Sequence, residues 1–199
     1  MKHRILFGAA AALAVGALLA GCANDELAKQ YTSGVDKNYI AASSGVTEVK
    51  ADQRGKPIEF SGKTEDGTTV SSKADLGDVI VVNFWYAGCP PCRAEASDLQ
   101  KIAAQYKGKG VDFIGVNTRD DSATTQAFDS TFGVTYPSIL DADGGAVQLA
   151  FSGSMRPNAT PTTFVIDKQG RIAARIAGDI AAQPSTLTTL IDSALAESK

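Results

Sequence analysis

The 199-residue chain is 44% hydrophobic and 21% charged, a composition typical of a globular protein with one apolar core. Its 19 basic and 22 acidic residues give a formal net charge of −3. Because phosphate binding requires a clustered basic face, this balance excludes nucleic acid as an expected partner.

The first 21 residues have the features of a secretory signal. Lys2 and Arg4 precede an uncharged run rich in Ala and Leu, and small residues follow that run. The run is too short and too rich in Ala and Gly for a typical membrane-spanning helix. We therefore assign residues 1–21 to a signal peptide. Its removal takes away two of the 19 basic residues and none of the 22 acidic ones, for a net charge of −5.

The polar segment that follows, residues 22–56, predicts a flexible tether. Its Ser, Gly and charged residues break any helical or strand periodicity. The regular apolar pattern begins near Ile58. We therefore expect the folded domain to span residues 57–199.

The domain begins with a hairpin signal and a buried strand. Two alternating runs flank Asp66-Gly67, and both of these residues tolerate positive φ, which favours a β-hairpin. The apolar run Val79–Trp85 has the length of a strand buried on both faces. It leads directly to C-P-P-C at residues 89–92 and then to a helical pattern that extends to about Tyr106.

The cysteine pair lies where this helix begins. Pro90 and Pro91 mark its first turn, because a helix needs no N–H donor there. Cys89 is then at or beside the N-cap, where unpaired N–H groups and the helix dipole favour a thiolate. We predict Cys89 as the nucleophile and Cys92 as the resolving thiol of a redox-active disulfide.

Cys-x-x-Cys spacing also suits a metal site, and an inert cysteine pair is a third alternative. Structural zinc requires four ligands. The chain has one further cysteine, Cys22, and one histidine, His3, and both lie in the N-terminal targeting region. Redox chemistry is therefore favoured, and we expect neither a metal nor a cofactor.

The rest of the chain alternates between strands and helices. The pattern predicts, in chain order, a strand at 111–117, a helix at 122–132 capped by Ser122, a strand at 136–140, a short helix at 146–151, a hairpin of strands at 162–167 and 171–177, and a closing helix at 184–196. This order predicts an α/β sandwich with a mixed central sheet and helices on both faces.

Three segments together resemble the TlpA/ResA branch of thioredoxin-like proteins. They are N-F-W-x-x-x-C-x-P-C at Asn83–Cys92, T-P-T-T-F-V-I-D at Thr160–Asp167, and the upstream D-G hairpin. The resemblance covers residues 57–199. It implies a thioredoxin-like fold with an extra N-terminal hairpin and an inserted strand-helix unit at about residues 122–151. It also implies a membrane-anchored thiol-disulfide oxidoreductase that acts on protein disulfides.

The resemblance implies further site residues. Thr160 and Pro161 would form a cis-proline loop that faces the dithiol and pairs with the substrate peptide. Trp85 is assigned to substrate binding, with core packing as the alternative. Gly88 departs from the pattern, because most relatives carry Trp or another large residue immediately before the first cysteine.

Two polar residues accompany the dithiol. Glu95 lies one helical turn after Cys92, and the resemblance implies that it is a buried acid that relays a proton to or from Cys92. A partly exposed helix glutamate is the alternative. Asn83 interrupts the apolar strand where cytoplasmic thioredoxins carry a buried Asp. It either holds the strand near the thiols or is simply a core amide with its hydrogen bonds satisfied.

The tetrapeptide L-A-G-C at residues 19–22 resembles the lipobox of bacterial lipoproteins, which implies lipidation of Cys22. An ordinary signal peptide is the alternative. With the resemblance of the domain, this implies a lipid anchor in the cell membrane, on its extracytoplasmic face. It also implies a membrane thiol carrier as electron donor.

The expected function is reduction of protein disulfides in c-type cytochrome maturation, with apocytochrome c or its chaperone as the substrate. The alternatives are a general extracytoplasmic disulfide reductase or oxidase, and a copper-binding module. Copper chaperones of this fold use Cys-x-x-x-Cys with a distant His, and the mature chain has neither.

Overall fold

The computed structural model describes residues 40–41, 45–153, 155–157, 159–181 and 183–197. The predicted signal peptide, Cys22 and most of the predicted tether lie outside these residues. The strands are β1 (Ile40–Ala41), β2 (Val46–Glu48), β3 (Ser61–Lys63), β4 (Thr69–Ser71), β5 (Val79–Trp85), β6 (Val111–Asn117), β7 (Ser138–Leu140), β8 (Thr162–Ile166) and β9 (Ile172–Ala177). The α-helices are α1 (Pro90–Tyr106), α2 (Ser122–Phe132), α3 (Ala146–Ala150) and α4 (Pro184–Ala196).

The central sheet has the strand order β1-β2-β9-β8-β5-β6-β7. Strands β5, β6 and β7 are parallel, whereas β8 runs antiparallel to β5 and pairs with β9 as a hairpin. Strands β3 and β4 form a separate two-stranded hairpin. The mixed sheet and the N-terminal hairpin at Asp66-Gly67 both agree with the prediction.

Strand β5 is buried along its whole length because helices cover both faces of the sheet. Val79 and Val81 face a core that α1 and α4 complete with Leu99 and Leu187. The intervening residues, including Ile80, face a second core to which α3 contributes. None of the helices in the described part of the chain is both long and apolar enough to cross a bilayer.

The ordered fold begins before residue 57, so the predicted domain boundary is wrong. Strand β2 pairs antiparallel with β9 as part of the central sheet. Val49 is buried in the core, and Arg54 bonds to Asp167 across 2.9 Å and also to Glu197. At least the residues from 45 onward therefore belong to the folded domain. The prediction failed because β2 is only three residues long and its partner lies more than 120 residues away.

In the segment from residue 122 to 151, the order of elements agrees with the sequence pattern, but the cap of the first helix differs from the prediction. The segment contains a helix, a strand and a second helix, and β7 adds to the sheet beside β6. The N-cap of α2 is Asp121, whose carboxylate accepts from the Thr124 N–H at 2.8 Å. Ser122, the predicted cap, instead donates its hydroxyl to the Glu65 carbonyl. It ties α2 to the β3–β4 hairpin.

Candidate active site

The two cysteines form a disulfide at the start of α1. Cys89 is the N-cap, and Pro90 and Pro91 occupy the first two helical positions as predicted. The Cys92 N–H donates to the Cys89 sulfur at 3.2 Å, and the Cα atoms of the pair are 5.2 Å apart. Both cysteines are about 2% exposed. The pair is therefore held at a helix N-terminus, where a thiolate at Cys89 is favoured.

The loop after β6 fixes the loop that carries Cys89. The Thr118 N–H donates to the Trp85 carbonyl at 3.0 Å. The Asp120 carboxylate accepts from the Ala87 N–H at 2.6 Å and from the Asn117 side chain at 2.9 Å. These bonds join the ends of two neighbouring parallel strands. They hold the chain between β5 and Cys89 in one conformation.

An aromatic side chain flanks the dithiol although Gly88 precedes Cys89. The guanidinium of Arg119 lies 4.2 Å from the ring centroid of Tyr86. A Cβ atom on Gly88 would meet the same ring at 3.4 Å, an ordinary van der Waals contact. Tyr86 therefore lies beside the exposed Gly88, where the family resemblance led us to expect a large residue. Tyr86 and Arg119 were not among the predicted site residues.

Glu95 is fully buried, at 1% exposure, which excludes the alternative of a surface glutamate. One carboxylate oxygen accepts from the Asn83 amide at 2.9 Å, and the other accepts from the Ile180 N–H at 2.9 Å. Burial raises the pKa of Glu95 from 4.5 to about 7, although these two hydrogen bonds oppose the increase. Glu95 is thus an acid that exchanges its proton near neutral pH.

Asn83 links three elements of the site. It lies on β5, and its amide group donates to Glu95 on α1 and to the Thr163 hydroxyl on β8, the latter at 3.0 Å. Of the two alternatives for this residue, the structure favours a positioning role. Asn83 fixes the carboxylate of Glu95 in the core.

Trp85 lies in the core and not on the surface. It is 4% exposed, and its ring packs against Phe128 of α2 at a centroid distance of 4.2 Å. The alternative of core packing is therefore correct, and we withdraw the assignment of Trp85 to substrate binding. The side chain was misassigned because the strand pattern cannot show that α2 covers this end of β5.

The peptide bond between Thr160 and Pro161 is cis, as expected. Because Thr162 is paired with Phe84 near the end of β5, the Thr160-Pro161 bond lies at the same sheet end as the dithiol loop. Thr160 lines a polar groove of about 170 Å³, together with Thr118, Arg119 and Gln148. This groove has the place and the polarity to receive a peptide backbone.

A second, small cavity is lined in part by Cys92. Its polar lining comes from Asn83 of β5, Asp129 of α2 and Ser138 of β7, and Trp85 and Tyr136 add aromatic surface. Asp129, Tyr136 and Ser138 were not predicted as site residues. No sequence signal marks Asp129, because it reads as one more polar residue of a predicted helix.

The arrangement of these elements defines a class of protein. A redox disulfide caps the helix that follows the central strand of a mixed sheet, and a cis-proline begins the antiparallel strand beside it. This is a thioredoxin-like fold with a dithiol site. Residues 50–191 match the Redoxin family, and the chain belongs to that family.

Known proteins with similar sequences and structures agree with this class. The chain is 30% identical over 107 residues to the thiol-disulfide oxidoreductase ResA of Halalkalibacterium halodurans. The matched region covers 54% of this chain and 58% of ResA. The chain is also 36% identical over 136 residues to the thiol:disulfide interchange protein DsbE of Yersinia pestis. That matched region covers 63% of this chain and 65% of DsbE. The match thus spans less than two thirds of either relative.

Among solved structures, a DsbF homologue from Corynebacterium diphtheriae superposes with a TM-score of 0.63 at 30% identity. The superposition covers 76% of this chain and 94% of that protein. The predicted thioredoxin-like fold is therefore confirmed.

Proposed function

We propose that this protein is a thiol-disulfide oxidoreductase that reduces disulfides of protein substrates outside the cytoplasm. The observation that carries the proposal is the Cys89–Cys92 disulfide at the N-terminus of α1, with the buried acid Glu95 one turn further along the helix. The similarity to ResA and DsbE supports the same class of reaction.

The first step is attack by Cys89. Its thiolate attacks one sulfur of the substrate disulfide, a mixed disulfide forms, and the other substrate sulfur leaves as a thiolate. In the first turn of α1, the Cys92 N–H donates to the Cys89 sulfur. Pro90 and Pro91 have no N–H group, and the Arg93 N–H donates to the Cys89 carbonyl instead. With one such donor, the thiolate is stabilised only moderately.

Moderate stabilisation of the thiolate determines the expected direction of electron flow. A strongly oxidising dithiol requires a very stable reduced form, and the two prolines remove donors that would provide it. The reduced form of this protein is therefore not favoured over its disulfide. This supports a role as a reductant.

The second step is resolution by Cys92. Its thiol must lose a proton before the sulfur can attack Cys89 and release the reduced substrate. With a pKa raised by burial to about 7, Glu95 can accept that proton at neutral pH and return it during re-reduction. Asn83 keeps the carboxyl group in place through the bond described above.

The groove beside Thr160 is the proposed binding site for the substrate peptide. Thr160 lies at the end of the central strands β5 and β8, next to the loop that carries the cysteines. An extended peptide can pair with the Thr160 backbone and so bring its disulfide to Cys89. Arg119 and Gln148 line the groove and would contact the flanking residues of the peptide.

The cellular setting is part of the proposal. The signal-like residues 1–21 and Cys22 support export and lipid anchoring at the extracytoplasmic face of the membrane. A membrane thiol carrier would then supply electrons. The similarity to ResA and DsbE supports the cysteine pair of an apocytochrome c, or of its chaperone, as the substrate.

The proposal is tested with a synthetic peptide whose disulfide joins the cysteines of a Cys-x-x-Cys-His segment, the haem-attachment motif. We expect the reduced protein to reduce this peptide, Cys92→Ala to accumulate a mixed disulfide at Cys89, and Cys89→Ala to be inert. A peptide with the same cysteines in scrambled surroundings tests the cytochrome role. Equal rates with both peptides would indicate a general reductase, and absence of the mixed disulfide would refute thiol exchange.

A further inference from the structure

The small cavity beside Cys92 contains two buried polar atoms that make no hydrogen bond to any described residue. They are one carboxylate oxygen of Asp129 and the hydroxyl of Ser138. Buried polar atoms in proteins are almost always hydrogen-bonded, either to the protein or to an ordered water. Both atoms lie in one cavity, so a single ligand can satisfy both.

The size of the cavity fits one water molecule. Its volume is about 10 Å³, close to the minimum for a water, and a bound water needs two to four polar partners. Asp129 and Ser138 provide two such partners, and Cys92 lines the same cavity. Trp85, Leu99 and Phe128 provide apolar lining of the same cavity.

We propose that Asp129 is a second proton-relay group for Cys92, which it reaches through a water held between Asp129 and Ser138. This inference rests on the proposed thiol-disulfide exchange. During resolution, the Cys92 thiol gives its proton through the water to the Asp129 carboxylate. The Cys92 thiolate attacks the Cys89 sulfur, the bond between Cys89 and the substrate sulfur breaks, and the substrate leaves as a thiolate. The two electrons come from the dithiol, and Asp129 then releases the proton to solvent.

Glu95 alone does not provide this route. Each of its oxygens accepts an N–H bond, and the side chain is fully buried, so it has no direct path to solvent. Asp129 is only half-buried, so one end of its carboxyl group faces the cavity while the residue also reaches the surface. The two acids flank Cys92 differently, because Glu95 is on α1 itself and Asp129 is on α2.

The charged and titratable groups around Asp129 favour a neutral carboxyl group. Burial raises the pKa of Asp129 to about 7, and the negative charge of Glu65 in the β3–β4 hairpin adds to this. Tyr136, just before β7, remains neutral because burial raises its pKa. The negative charges of Glu95 and Asp129 raise this pKa further. Arg93 of α1 is near α2, but its guanidinium lies over the Phe132 ring at 5.1 Å.

The test separates attack from resolution. The reduced protein is mixed with Ellman's reagent in a stopped-flow instrument, where the first release of thionitrobenzoate reports attack by Cys89 and the second reports resolution by Cys92. We expect Asp129→Asn to slow the second phase at least about 10-fold near neutral pH and to remove one step from its pH profile. The first phase should change less than about twofold. Ser138→Ala should slow the second phase less and keep the step, because Asp129 is still present.

Asp143→Asn is the matched control, because Asp143 is exposed in the loop before α3. Both phases should then equal those of the wild type. If the second phase of Asp129→Asn superimposes on that of the wild type at every pH, the relay is refuted while thiol exchange stands. If the wild type releases no second equivalent of thionitrobenzoate, both the exchange reaction and the relay are wrong.

A measurement on the unaltered protein covers the case in which Asp129→Asn misfolds. With ¹³C-labelled aspartate, the Asp129 carboxyl resonance is titrated in the reduced and in the oxidised protein. The relay predicts different titration curves, because only the reduced protein has a Cys92 proton to share. Superimposable curves would refute it.

Discussion

Glu95→Gln should change how the stability of the protein depends on pH. In the folded protein, burial raises the pKa of Glu95 to about 7, whereas in the unfolded chain the group has its ordinary value near 4.5. Between pH 4.5 and about pH 7, the folded state therefore keeps a proton that the unfolded state has released. Stability from this group is fully present below pH 4.5 and is lost as the pH rises through about 7.

The size of the effect follows from the difference between the two pKa values. At about 1.4 kcal/mol per pKa unit, the step from 4.5 to about 7 corresponds to about 3 kcal/mol. Gln has no proton to lose, so the variant lacks this change. We expect the stability of Glu95→Gln, relative to the wild type, to rise by about 3 kcal/mol between about pH 4 and pH 9.

The geometry allows Gln to occupy the site. Gln offers one acceptor and one donor, whereas both oxygens of Glu95 accept N–H bonds. The amide of Asn83 can turn over, because its other partner, the Thr163 hydroxyl, can donate as well as accept. Any fixed cost of this rearrangement is the same at every pH. It therefore cancels when the two ends of the pH range are compared.

The assay is urea denaturation of the oxidised proteins at intervals across that pH range, monitored by circular dichroism. Asp129 also has a raised pKa, but it is present in both proteins and its contribution cancels. Glu59→Gln is the control, because Glu59 is exposed and pairs with the exposed Lys73. If the wild type and Glu95→Gln gave parallel curves of stability against pH, Glu95 would be ionised in the folded protein and the reasoning would fail.

Four further predictions follow from the site and the fold. Glutathione equilibration should give a potential for the Cys89–Cys92 couple nearer about −270 mV than about −120 mV, and a value above about −160 mV would indicate an oxidase. Iodoacetamide rates across pH should lose one step in Glu95→Gln relative to the wild type, and superimposable profiles would mean that Glu95 does not interact with the dithiol. In urea denaturation, Arg54→Met should destabilise the protein by about 3 kcal/mol, because it leaves the buried Asp167 with fewer partners. Lys73→Met, which removes an exposed ion pair, should destabilise it by less than about 1 kcal/mol. By the same assay, a chain that begins at residue 57 should be less stable than one that begins at residue 45, because it lacks β2, Val49 and Arg54; equal stability would mean that these contacts contribute nothing.

Local signals were sufficient for the elements that carry the dithiol. The continuous apolar run predicts β5 because both of its faces are covered, and Pro90 and Pro91 mark the start of α1 at the residue where the helix begins. The burial of Glu95 also follows from spacing, because it lies one turn after the buried Cys92. In each case, the deciding residues are within a few positions of one another.

The failures involve residues whose structure depends on distant partners. Val46–Glu48 has no local strand signal, and its conformation is set by pairing with β9. Trp85 was assigned to substrate binding, with core packing as the alternative, and nothing near it in sequence shows that Phe128 covers its ring. Strand periodicity indicates which residues alternate, but it does not identify which element covers the end of a strand.

The segment from residue 122 to 151 has a larger part in the site than its prediction as an insertion suggests. Helix α2 brings Phe128 against Trp85 and places Asp129 at the cavity beside Cys92, and β7 brings Ser138 to the same cavity. The dithiol and Glu95 come from β5 and α1, but these later elements enclose the resolving cysteine. Because enclosure raises the pKa of a carboxyl group, the same packing that buries Trp85 also prepares Asp129 to exchange a proton near neutral pH.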